Sequence, residues 1–124
     1  IKGNDFQTCP SPMAAHSGNG EDVAFIDIEE KEGISTCGVY NKKLNLAVSM
    51  EFPKKQLPWL VNWQHWGKNE YVTALEPATN PPIGQKRARE EGSLIFLEPG
   101  ETKNYSLKVE VLANEKIENF IRSF

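Results

Sequence analysis

Leu44-Asn45-Leu46-Ala47-Val48-Ser49-Met50-Glu51-Phe52 changes character at every residue. Leu44, Leu46, Val48 and Met50 fall on one side, and Asn45, Ala47, Ser49 and Glu51 on the other. A two-residue period is the mark of a strand with one buried face, because successive side chains of an extended backbone point to opposite faces. The same reading extends in both directions. Upstream, residues 33–41 form a second run, split from the first by Asn41-Lys42-Lys43, and residues 23–29 alternate as a third. Downstream, Pro53 and Pro58 bracket a short connection. Residues 59–66 and 71–76 then flank Gly67-Lys68-Asn69, a hairpin turn by composition. Residues 93–97 and 102–112 read as the last strands, joined by Glu98-Pro99-Gly100-Glu101. About seven short strands separated by turns predict an all-β protein, an antiparallel β-sandwich.

The remaining segments have other compositions. Residues 1–22 are rich in Gly, Pro, Ser, Asn and Asp, as in Cys9-Pro10-Ser11-Pro12 and Ser17-Gly18-Asn19-Gly20, and read as a loop or linker arriving from upstream. Residues 77–92 read as a long polar connection, a kind of loop that is often functional. In residues 113–124 the period changes: Ile117, Phe120, Ile121 and Phe124 follow helical spacing, with Asn114 as candidate N-cap, which predicts a short amphipathic helix. The chain opens on Ile1 rather than Met, and the expectation is a C-terminal piece of a longer reading frame.

Composition narrows the function classes. The chain has 124 residues, 39% hydrophobic and 25% charged, which fits one folded domain. A net charge of −3 provides no basic field for a phosphate backbone, so nucleic acid is not an expected partner. No apolar run is long enough to span a bilayer. Cys9 and Cys37 have no metal-site spacing and read as reduced thiols of a cytoplasmic protein. His16 and His65, the two histidines, have no ligand spacing either, so neither a metal nor another cofactor is expected. Phosphate-binding glycine loops and nucleophile elbows are absent from the sequence.

The chemistry concentrates around Glu76, at the end of the apolar and aromatic run Tyr71-Val72-Thr73-Ala74-Leu75. A carboxylate partly buried at the mouth of a sheet has its pKa raised toward the range of a general base. Position alone also fits an ordinary solvated glutamate before a turn proline. The stretch Tyr71-Val72-Thr73-Ala74-Leu75-Glu76-Pro77-Ala78-Thr79-Asn80 resembles the base-bearing segment of aldose 1-epimerase-like proteins. Gly92-Ser93-Leu94-Ile95-Phe96-Leu97-Glu98-Pro99-Gly100-Glu101-Thr102 is similar to that family's closing strand-turn-strand element. Leu57-Pro58-Trp59-Leu60-Val61-Asn62-Trp63-Gln64 is similar to the preceding strand in a less characterised, bacterial branch. The resemblance implies the C-terminal part of a galactose-mutarotase-like supersandwich, acting on a monosaccharide without a cofactor. It implies that Glu76 takes the anomeric proton while an acid protonates the ring oxygen, with ring opening, rotation and closure interconverting the anomers.

The family's acid is a histidine in an upstream motif, and no segment of this chain matches it, so the chain alone is expected to be inactive. If Trp66 pairs with Tyr71, alternation puts His65, Trp63 and Val61 on the Glu76 face; a one-residue slip puts Asn62 and Gln64 there instead. His65 is then a candidate acid or simply a polar residue near a hairpin end. Trp59 and Trp63 are expected to fill the inter-sheet core, leaving Trp66 on the other face as a wall for a sugar. Asn80, Arg87 and Arg89 are candidates for sugar hydroxyls or a sugar phosphate, unless the arginines pair with Glu90 and Glu91. The rival reading is a carbohydrate- or protein-binding sandwich without chemistry. Exposed strand edges predict self-association, as a symmetric dimer.

Overall fold

A computed structural model describes residues 8–122. The described chain is an all-β sandwich of two antiparallel three-stranded sheets with a short C-terminal helix. One sheet has the order β1 (Asp22–Ile26), β4 (Trp59–Gly67), β5 (Glu70–Ala78). The other has the order β2 (Ile34–Asn41), β3 (Leu46–Pro53), β6 (Lys108–Ala113). The alternating run that decided the reading is β3, the central strand of its sheet.

Alternation also decides how the sheets meet. Phe52, Cys37 and Met50 from β3 and β2 pack against Leu60, Ile26 and Leu75 from the other sheet, with Ile28 and Leu57 beside them. The inner face of β4 is therefore the even-numbered one, Leu60, Asn62, Gln64 and Trp66. This reverses the expectation for the tryptophans. Trp59 and Trp63 lie on the outer face of the sheet, half-buried, while Trp66 is on the inner face at 3% exposure. The opposite face of β3 carries a second core: Ala47 and Leu112 are covered by Ile117 and Phe120. These two come from α2 (Glu115–Ile121), the helix the tail's spacing predicted. Asn114 precedes it at φ 55°, but its side chain makes no capping hydrogen bond. Phe124 lies outside the described residues.

Three other expectations change. The 77–92 connection contains a helix, α1 (Gln85–Glu90), whose Ala88 is buried. Good helix formers in Gln-Lys-Arg-Ala-Arg-Glu outweigh the short length once Ala88 has a surface to pack on. Residues 93–97 form no strand, and the last strand begins only at Lys108. Residues 102–107 instead run beside the β3–β4 connection, where Gln56 accepts hydrogen bonds from the Ser106 backbone N–H (2.7 Å) and hydroxyl (3.2 Å). Six strands remain where about seven were expected. Of the 1–22 segment, the described part is a packed strap rather than a linker; it carries a 3₁₀ turn, Ala14–His16, against β4. No described helix is long and apolar enough to cross a membrane.

Burial pushes the Cys37 thiol up to about 11, from an ordinary 9.0, whereas Cys9 is exposed. A raised pKa means that folding favours the protonated thiol. That contribution is present below the unfolded value and is lost as pH rises through about 11. Alkylation at pH 8 is expected to modify Cys9 first and Cys37 only on unfolding, because the thiolate is the reacting form. Equal labelling rates in the native protein would contradict the packing of Cys37 against Phe52.

Candidate functional site

The β4–β5 hairpin builds the site. Its register sets Trp66 opposite Tyr71, His65 opposite Val72, Trp63 opposite Ala74 and Val61 opposite Glu76. The turn is Lys68-Asn69, and Asn69 takes φ 70°, a conformation asparagine tolerates better than most residues. Paired residues share a face, so Val61, Trp63 and His65 lie on the outer face with Glu76. On the far side of β4, Phe25 pairs with Val61 and Val23 with Trp63. One row across the sheet therefore reads Phe25, Val61, Glu76. Trp59 and Trp63 flank that row, two positions to either side of Val61.

Val61 is the buried floor of this arrangement, and Glu76 is exposed at its edge. The burial expected around the Glu76 carboxylate is not present among the described residues. Trp63 is held in place from two directions. Its indole N–H donates to the Glu21 carboxylate at 2.6 Å, and its ring stacks on His65 at 5.9 Å with 10° between planes. The ring face turned away from His65 is on the side of Val61 and Glu76. What results is a carboxylate beside two fixed aromatic surfaces, a combination able to accept hydroxyl hydrogen bonds while packing C–H groups.

The remaining candidates separate from Glu76. Asn62, Gln64 and Trp66 lie on the inner face, where they form a connected line. The Asn62 amide donates to Thr73 Oγ1 (2.8 Å) and to the Ala74 carbonyl (3.0 Å). Gln64 donates to Asn62 Oδ1 at 2.6 Å, and the Trp66 indole donates to Gln64 Oε1 at 3.4 Å. No buried side-chain polar atom among the described residues lacks a partner, so this line is self-satisfied structure. Arg87 pairs with Glu91 at 2.6 Å, one helical turn on, and Arg89 lies over the Phe96 ring. Asn80 uses its amide locally, accepting from Thr79 and donating to the Pro81 carbonyl.

His65 is on the Glu76 face but four strand positions away, about 13 Å at the usual rise per residue. An acid and a base serving adjacent atoms of one sugar ring, each within hydrogen-bond reach, stand no more than about 8 Å apart. His65 is therefore not the acid for Glu76. Its Nδ1 donates to the Gly20 carbonyl at 2.6 Å and its Nε2 faces Glu70 at 3.5 Å.

The sequence held no local signal for the partner of His65. His16, 4% exposed, stacks against it with ring centroids 6.2 Å apart. The reason lies in where β1 starts. Asp22 is its first paired residue, opposite Gln64, so the backbone of Trp66 has no strand beside it. Met13 N–H bonds the Trp66 carbonyl at 2.7 Å, and His16 Nδ1 accepts the Trp66 N–H at 2.9 Å. That leaves the His16 proton on Nε2, which donates to Asp22 at 3.1 Å. Buried backbone groups must be paired, and a histidine ring here completes the sheet. Gly20 is required by the same strap, since a Cβ there would stand 1.9 Å from the Ala15 carbonyl oxygen. Among the described residues no group of His, Cys, Asp or Glu is arranged to hold a metal ion.

The profile of DUF4432, described as a domain of unknown function, matches residues 2–111. Nothing matches among curated proteins or among solved structures.

Proposed function

The chain belongs to the DUF4432 family, a domain of unknown function, and from that premise we propose that its β1-β4-β5 outer face binds an aldose, with Glu76 as the general base of an aldose 1-epimerase-like reaction. The observation that carries this is the Phe25-Val61-Glu76 row flanked by Trp59 and Trp63. A pyranose lying on the indoles would present its anomeric hydroxyl to an exposed carboxylate. Glu76 takes that proton, an acid delivers one to the ring oxygen, and the opened chain rotates and closes on the other face. Both steps are proton transfers and call for no cofactor. The unbridged thiols fit a cytoplasmic setting.

A second reading, a carbohydrate-binding surface without chemistry, is favoured by one observation: the described residues bring no acid within reach of a sugar held at Glu76. Added imidazole distinguishes the two. The chain alone is expected to quench its tryptophan fluorescence with aldoses and to accelerate anomer exchange very little. Imidazolium supplied in solution stands in for the missing acid, and exchange measured by NMR is then expected to exceed the rate with imidazole alone. Glu76→Gln removes that excess while leaving the fluorescence titration in place. Sugar binding with no imidazole-dependent excess would leave the binding reading. No binding by any aldose would overturn both.

A further inference from the structure

We infer that the open edge of β6 is an interface between two copies of this chain, paired antiparallel about a two-fold axis through Val109 into one six-stranded sheet. β6 bonds β3 on one side, and no described strand lies on its other side. An open edge presents unpaired N–H and C=O groups, which proteins usually blunt with charge, above all lysine. The single cation on β6, Lys108, does not serve that purpose: Glu110 and Glu51 hold its ammonium at 2.7 and 3.2 Å. Leu107, Val109 and Val111 project from the opposite face at 50%, 52% and 66% exposure. A soluble strand that keeps three adjacent branched residues this open has the composition of a contact surface.

The sequence of the edge is complementary to itself in one register. With Val109 opposite its own copy, Lys108 of each chain lies opposite Glu110 of the other, and Leu107 lies opposite Val111. Both charge pairs attract, and the apolar residues form a continuous stripe. Sliding by two residues in one direction sets Lys108 opposite Lys108; sliding in the other sets Glu110 opposite Glu110. A slide by one residue would turn the apolar stripe onto the charged face. Other edges lack this property. β5 carries Pro77, and pairing it with itself about Thr73 sets Glu70 opposite Glu76. β2 has no charged residue to choose a register, and β1 is five residues long.

Cross-linking at the axis tests the assignment. Residues facing across a two-fold antiparallel pair have Cα atoms about 4.5–5.5 Å apart, within disulfide reach. In a Cys9→Ser background, Val109→Cys is expected to give a covalent dimer under mild oxidation. Val39→Cys, exposed on the same sheet but on β2, gives none. Sedimentation is expected to show a concentration-dependent dimer that weakens with salt. Lys108→Glu weakens it about tenfold, and Lys108→Glu combined with Glu110→Lys restores it, with circular dichroism confirming that each variant is folded. A monomer at all concentrations overturns the inference. So does a dimer in which Val109→Cys fails to cross-link, since copies then meet through another surface.

Discussion

Replacing Phe52 with alanine is expected to lower stability by about 3–5 kcal/mol, most of what a domain of this size has to lose. Phe52 is 1% exposed and lies where the two sheets meet, touching the cluster of Cys37 and Leu60. Truncation removes the ring's transfer energy and leaves a cavity between two backbones that hydrogen bonds hold in place. The denaturant midpoint should drop sharply with little change in slope. A loss below about 1 kcal/mol would mean the ring is not fully packed and the two sheets do not close on each other.

The second large effect is expected at Asn62, and it separates structure from ligand binding. Asn62→Ala removes the acceptor of the Gln64 amide and the donor to the Ala74 carbonyl. Each buried group left unpaired costs about 1–3 kcal/mol. Thr73→Val removes only one neighbour of the line and should cost less. Sugar affinity, measured where the variant is still folded, is expected to stay at the wild-type value, because Asn62 points away from Glu76. A variant of normal stability and lost affinity would return Asn62 to the ligand side.

The hairpin on which this account rests was legible in the sequence. Alternation, the Lys68-Asn69 turn and the Trp66–Tyr71 pairing fix which residues accompany Glu76. Alternation gives two faces, however, and does not say which one is inside. On β4 the apolar set Trp59, Val61 and Trp63 looks like the core, yet the inner face is that of Asn62, Gln64 and Trp66. Polar side chains that satisfy one another can be buried, and composition does not reveal that they do. The His16–His65 stack was hidden for a different reason: it depends on where β1 begins, 49 residues from its partner in sequence. The 93–97 run reads as a strand by residue type, but no neighbour supplies the hydrogen bonds that would make it one.

The central claim is that a sugar lies on the outer face beside Glu76, and the three indole N–H resonances of the labelled protein report on it directly. Trp63 and Trp59 flank Glu76, whereas Trp66 is buried on the inner face. Titration with an aldose is expected to shift the Trp63 and Trp59 signals together and leave Trp66 unmoved. A shift confined to Trp66, or three signals unmoved at every sugar concentration, would contradict the site.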